Sequence, residues 1–248
     1  MLLKDKVAII TGSTRGIGNA IAKEFLKNGA IVVVCGSRES SVQKAVEALR
    51  TEFPESKIDG RWPDLSKYED LEDLTKSIKE KFGRLDIMVN NAGISDDIST
   101  FDKDPVEFAK LIDLNINSVF YGCKAASIVM KEQGEGCIIN TSSMVSKNGQ
   151  TTGVSYPTSK FGVNGLTISL ARELGQYGIR VNAVAPGIIN TDLMQAVPKE
   201  VIEPLIDAIP LKRIGQPSDI GKGCVFLASD LASYVTGEIL HVDGAMTV

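Results

Sequence analysis

The sequence predicts an α/β protein: one doubly wound parallel sheet of about seven strands, with helices on both faces. Three observations predict it. Short apolar runs alternate with amphipathic stretches along the whole chain, as a parallel sheet requires when each strand is returned by a crossover helix. The runs Lys6–Ile10, Ile31–Cys35, Leu85–Val89 and Gly136–Asn140 are rich in β-branched residues and read as buried strands. The first of them feeds a glycine-rich turn, Thr11-Gly12-Ser13-Thr14-Arg15-Gly16-Ile17-Gly18, and an apolar helical stripe (Ile17, Ile21, Phe25, Leu26) follows at once.

Composition sets the frame. The chain has 248 residues, 43% hydrophobic and 23% charged, which suits a single globular domain over 1–248 with a large core. Its net charge of −4 argues against a nucleic-acid partner, and no apolar run approaches a membrane span. The N-terminal charges Lys4, Asp5 and Lys6 do not fit a signal peptide. Cys35, Cys123, Cys137 and Cys224 are scattered, so we expect reduced, buried thiols and a cytoplasmic location. With one histidine, His241, and no paired cysteines, neither a metal site nor a Ser-His-Asp hydrolase is expected.

In chain order, strand, glycine turn and helix form a candidate pyrophosphate site: glycines allow close backbone approach, and the helix start offers free N–H groups. A helix that binds NAD in this context is followed, about 20 residues after the glycines, by an acid on the ribose hydroxyls. Counting on gives Gly36-Ser37-Arg38, with no acid. Arg38, with Arg15 in the turn, suits a 2′-phosphate and hence NADP. The alternative leaves Arg38 in solvent and gives the ribose to Glu39. A helix over Ser40–Phe53 follows, then a third strand over Lys57–Trp62. Next come Asp64 and Leu65, where Asp64 is placed to meet an adenine amino group, or else Ser66 caps the next helix, which runs to about Phe82.

The fourth strand ends at Asn90-Asn91-Ala92-Gly93, small residues that let a ligand lie against a strand end. Pro105 is expected to begin one long helix to about Met130, with Asn115 disturbing it and holding a water, or facing solvent. The fifth strand leads to Ser143, whose hydroxyl is able to donate to a carbonyl oxygen. A loop over Val145–Ser155 then reaches Tyr156-Pro157-Thr158-Ser159-Lys160. Tyr and Lys four apart share a helix face, and a nearby ammonium is expected to lower the phenol pKa toward neutrality. Alone, that spacing describes any helix. Strand six spans Ile179–Ala185, a lid over substrate covers about 188–215, a helix spans Asp219–Ser229 and the last strand is Glu238–Val242.

Taken together, T-G-x-x-x-G-x-G at Thr11–Gly18, N-N-A-G at Asn90–Gly93, Ser143, Y-x-x-x-K at Tyr156–Lys160, and Pro186-Gly187 followed by Thr191 resemble the short-chain dehydrogenase/reductase family over nearly the whole chain. The resemblance implies a Rossmann-type sheet and NADP(H)-dependent exchange of a ketone and a secondary alcohol. It implies Tyr156 as acid or base, Lys160 tuning it and holding the nicotinamide ribose, and Ser143 polarising the carbonyl. Asn115 would fix a relay water, while Thr191 and the backbone at Ile189 would hold the carboxamide. It also implies a homotetramer, with Phe226–Val248 between subunits. Val181–Gly187 followed by Thr191-Asp192 resembles 3-oxoacyl carrier-protein reductases, which makes a 3-oxoacyl-reductase-like enzyme the leading expectation; Tyr156-Pro157 and Ile139-Asn140-Thr141 resemble bacterial hydroxysteroid dehydrogenases, the alternative. Segments such as Lys131–Glu135 are not basic enough for an acidic carrier protein. A non-catalytic nucleotide sensor would share the cleft, but would not need Asn115, Ser143, Tyr156 and Lys160 together.

Overall fold

The computed structural model describes residues 1–191 and 199–247. Seven strands form one sheet: β1 (Val7–Ile10), β2 (Ile31–Cys35), β3 (Ile58–Arg61), β4 (Ile87–Asn90), β5 (Gly136–Thr141), β6 (Ile179–Pro186) and β7 (Ile239–Val242). Their order is β3-β2-β1-β4-β5-β6-β7, and every pairing is parallel. The chain works outward from β1 to β3, then crosses back to place β4 on the other flank of β1. The carboxyl ends of β1 and β4 therefore border the crevice where open α/β sheets bind ligands.

Helices cover both faces. On one side lie α1 (Gly16–Lys27) and α2 (Glu39–Glu52); on the other, α3 (Tyr68–Phe82), α4 (Pro105–Ile112), α5 (Ser118–Gln133) and α7 (Ser155–Leu174). A short α6 (Val145–Asn148) precedes α7; α8 (Lys199–Ala208) and α9 (Pro217–Ala228) complete the set. The strands alternate between two cores. Ala8, Ile10, Val32 and Val34 pack with Ile21, Phe25 and Cys224, while Val7, Ile9 and Val33 pack with Leu71, Ile78 and Val163. Burial on both faces explains why the strands read as continuous apolar runs. Each fully buried Ile, Leu or Val contributes about 1.5–3 kcal/mol.

Several boundaries differ from the expectations. The third strand is shorter than Lys57–Trp62, and Trp62 lies outside it. Ser66 does not cap α3, because Lys67 occupies the cap position and no side chain bonds there. The expected loop over Val145–Ser155 contains the turn of helix α6. Pro217 at the first position, with a Gln216–Asp219 capping box, starts α9 two residues earlier than expected. The largest correction concerns the long helix from Pro105. It is interrupted at Asp113–Asn117 by a π-helical turn, and Asn115 sits there fully buried rather than facing solvent. Of the segment at about 188–215, expected as a lid, Asp192–Pro198 lie outside the described residues. Its two ends are bonded together, Asn190 N–H to the Gly215 carbonyl and Gly215 N–H to that of Ile188.

Candidate active site

A cleft of about 800 Å³ runs along the carboxyl ends of the strands, within the size range of ligand sites. Its near wall is the glycine turn, with Gly12, Thr14, Arg15, Gly16, Ile17 and Gly18 all lining it. The turn depends on glycine. A Cβ on Gly12 would lie 2.9 Å from Ala92 Cα, and one on Gly18 would run into the Gly12 carbonyl oxygen. Gly16 has φ +57° and open space where a Cβ would stand. α1 starts with no side-chain cap and no acid in its first turn, so its free N–H groups and positive end are left for a ligand.

The β4 end is tied to this turn. The Thr11 hydroxyl accepts from the N–H groups of Asn91 and Ala92, both at 3.0 Å. The Asn91 amide donates to the carbonyls of Thr11 and Gly12. Asn91, Ala92 and Gly93 line the cleft. At its far end stand Gly36, Ser37, Trp62, Asp64 and Leu65. Among the described residues Asp64 is the only carboxylate of the lining, and hydrogen bonds from Ser66 above all, then Lys67, hold its pKa low. Facing it are the cations Arg15 and Lys160. The cleft therefore favours an anion.

Tyr156 and Lys160 stand at the opposite end, on the first turns of α7, with Thr191 nearby. The buried Lys160 ammonium donates to the Thr141 carbonyl at 2.7 Å and lies 5.5 Å from the centre of the Tyr156 ring. With no carboxylate to support it, burial pulls its pKa down to about 8. The expected lowering of the phenol pKa is not what the structure gives. Burial raises the Tyr156 pKa, while the Ser143 hydroxyl pulls it the other way. Burial is the larger cause, and the Lys160 ammonium, bonded to the Thr141 carbonyl, makes no hydrogen bond to the phenol oxygen that would offset it.

Behind these residues lies a buried frame. Asn115 accepts from Ile94 N–H at 2.9 Å and donates to the Ile94 carbonyl at 2.7 Å and to Ser159 Oγ at 3.0 Å. A Cβ on Gly93 would lie 3.1 Å from Asn115 Oδ1 and 3.8 Å from Lys160 Nζ, so the three positions are neighbours. Under Ser143, the Ser142, Ser146 and Asn164 side chains bond one another, and Ser146 Oγ donates to the Ser143 carbonyl at 2.6 Å. Ser143 is thereby held on a fixed backbone.

Seven expected residues fall outside the cleft lining. Asn115 and Ser143 lie behind or beside it, as described. The Ser13 hydroxyl is turned inward, donating to the Ile10 carbonyl and accepting from Cys35 N–H. Arg38 is exposed at the start of α2. Pro186 and Ile189 are buried, Ile189 against a second cavity, and Gly187 packs on Asp243, where a Cβ would lie 2.6 Å from Cα. Two contributors were missed. Thr11 belongs to the glycine motif, and its spacing alone marks it. Thr141 lies two before Ser143, and its buried hydroxyl has no partner.

The parallel sheet, the glycine turn at its switch point and the Tyr–Lys pair across the same cleft define a nucleotide-binding α/β oxidoreductase. Comparison with known proteins agrees. A family model described as enoyl-(acyl carrier protein) reductase matches residues 12–247. A 3alpha-hydroxysteroid dehydrogenase of Mediterraneibacter gnavus is 56% identical over 99% of this chain and 98% of its own. A 3-oxoacyl-(acyl-carrier-protein) reductase FabG of Staphylococcus aureus is 40% identical over 97% and 98%. The crystal structure of gox2181 superposes with a TM-score of 0.94 at 35% identity, covering 99% of this chain and 96% of that one. The chain belongs to the short-chain dehydrogenase/reductase family, and it is an oxidoreductase that interconverts ketones and secondary alcohols. Among the described residues no helix is long and apolar enough to cross a membrane.

Proposed function

We propose that the protein is an NADP(H)-dependent oxidoreductase that interconverts a hydroxysteroid, or a similar rigid, apolar secondary alcohol, and the matching ketone. The observation that carries this reading is the cluster of Ser143, Tyr156 and Lys160 at the end of a cleft whose other wall is an uncapped helix start and a glycine turn. The bound nicotinamide supplies or accepts the hydride. Tyr156 gives the proton to the ketone oxygen in reduction and takes it back in oxidation. Ser143 donates a hydrogen bond to the same oxygen. Lys160 holds the nicotinamide ribose, and its charge favours the phenolate once the cleft is filled. Asn115 holds the Ile94 backbone beside Lys160 and anchors a relay water. Thr191 and the Ile189 backbone hold the carboxamide.

NADP is favoured by charge. Arg15 lines the cleft, Arg38 is exposed next to the lining residue Ser37, and neither pairs with a carboxylate among the described residues. Glu39, the alternative ribose ligand, instead accepts from Gln43. Both arginines suit a 2′-phosphate, with Arg15 nearer the cleft.

The steroid-type substrate is supported by the name of the 56%-identical relative and by the substrate-side loops, where Ile94, Ile98 and Val154 are exposed beside Tyr156. A rigid ring system would cover that apolar rim. The segment at about 188–215, its ends bonded together, serves as the lid. A second reading, 3-oxoacyl reduction, is supported by the 40% identity to the carrier-protein reductase. The exposed Phe226, Leu231 and Tyr234 support assembly into a homotetramer through the C-terminal segment, and the four buried free thiols support a cytoplasmic enzyme.

The test is the initial rate with NADPH and NADH against oxo-steroids, an acetoacetyl thioester and simple diketones. A preference for NADPH and an oxo-steroid is expected. A preference for NADH overturns the cofactor assignment, and a preference for the thioester replaces the substrate.

A further inference from the structure

Trp62 is the sole tryptophan of the chain. It lies just beyond β3, with 47% of its surface exposed, and it lines the cleft at the end away from Tyr156. A single exposed aromatic residue is ordinary on a protein surface, but one set in the wall of a ligand cleft is not. Its setting is fixed: Gly60, two residues back, packs so tightly on α2 that a Cβ there would lie 2.7 Å from Val42 Cγ1. Pro63, next in sequence, restricts the backbone at Trp62.

The two ends of the cleft have different work. The reacting end is at Tyr156 and Lys160, so the end lined by Gly36, Ser37, Trp62 and Leu65 receives the adenosine half. Among the described residues Asp64 is the carboxylate at that end: its Oδ1 accepts from Ser66 N–H at 3.1 Å and from Ser66 Oγ at 2.7 Å, Lys67 approaches Oδ2 at 3.3 Å, and the remaining lone pairs stay open to an adenine amino group. A purine also has two π-faces, and an indole beside it supplies affinity without reading a polar edge.

We infer that Trp62 forms a stacking wall for the adenine of the nucleotide. This rests on the reading of the cleft as an NADP(H) site, and it assigns to Trp62 a binding role rather than a catalytic one.

A single tryptophan makes its emission an unambiguous reporter. The experiment titrates the wild-type protein with 2′,5′-ADP, the phosphorylated adenosine half without nicotinamide, and follows tryptophan emission and calorimetric heat together. Saturable quenching with the calorimetric half-point is expected. Trp62→Ala is expected to weaken 2′,5′-ADP and NADPH about tenfold, and Trp62→Phe, which keeps a stacking face, by less than about threefold. Nicotinamide mononucleotide should bind wild type and Trp62→Ala alike. Calorimetric binding of 2′,5′-ADP with unchanged emission, and Trp62→Ala affinities within about twofold of wild type, would overturn the stacking wall and leave the cofactor reading intact. A wild type that binds neither 2′,5′-ADP nor NADPH would overturn the cofactor reading and the wall with it.

Discussion

The Lys160 ammonium lies 5.5 Å from the centre of the Tyr156 ring and spends its hydrogen bond on the Thr141 carbonyl, 2.7 Å away. One turn of α7 separates the two residues, so the face they share comes from helix geometry. The ammonium reaches across that face toward β5. It stands at a cation–π distance from the ring and makes no direct bond to the phenol oxygen. Before a nucleotide arrives, burial raises the Tyr156 pKa and lowers that of Lys160.

A buried ammonium with one carbonyl partner is costly to fold. The folded pKa of Lys160 is about 8, below its ordinary 10.5. The unfolded chain therefore binds the extra proton between those values, and stability rises with pH across that window. Lys160→Met should stabilise the nucleotide-free protein at pH 7 by about 1–3 kcal/mol, since it removes a desolvated charge. The gain should shrink as pH rises from 8 to 10.5 and the wild-type lysine loses its proton. Urea unfolding of both proteins at several pH values checks this. The same variant should lose most activity, and its low-pH limb for alcohol oxidation should move to higher pH.

The glycine turn separates two kinds of need. Gly18 is required by packing: alanine there must displace the Gly12 carbonyl and should cost about 2–3 kcal/mol of stability. Gly16 is required by conformation and access. Alanine meets open space but a left-handed φ, so it should cost only about 1–2 kcal/mol and instead weaken nucleotide binding by placing a methyl in the cleft wall. Thermal melts and nucleotide titrations of both variants distinguish the effects.

The two loops beside Tyr156 are latched by one side chain. The Gln150 amide donates to the carbonyls of Asp96, Thr152 and Gly153, at 3.0, 2.6 and 2.7 Å. Within the first loop, Lys103 pairs with Asp96 at 2.6 Å. Gln150→Ala should loosen the loop around Ile94 and Ile98. The expected outcome is a KM for the ketone raised about three- to tenfold with nucleotide affinity unchanged, at a stability loss of about 1 kcal/mol. Steady-state kinetics with a nucleotide titration reads both.

Much of this was legible in the sequence because it rests on local rules. Strands buried on both faces must read as apolar runs, and Gly12, Gly16 and Gly18 occupy positions that a side chain would obstruct or strain. The Tyr156–Lys160 spacing needs only a helix. What stayed hidden depends on tertiary placement. Asn115 looked like a poor residue inside one long helix; the π-helical turn follows from its bonds to Ile94 and Ser159, which no local pattern encodes. The direction of the Tyr156 shift is set by burial, which only the folded chain creates around the ring. Arg38 was marked by counting, and the fold leaves it exposed while Arg15 enters the cleft.

The most direct test is a single-turnover experiment with NADPH and an oxo-steroid on the wild type and on Tyr156→Phe. We expect the wild type to oxidise bound NADPH and form the alcohol. The variant, which lacks only the phenol oxygen, should bind NADPH with unchanged affinity while the hydride-transfer rate falls by about a thousandfold or more. A variant that turns over within about tenfold of wild type would contradict Tyr156 as the proton donor, and with it the account of the whole cleft.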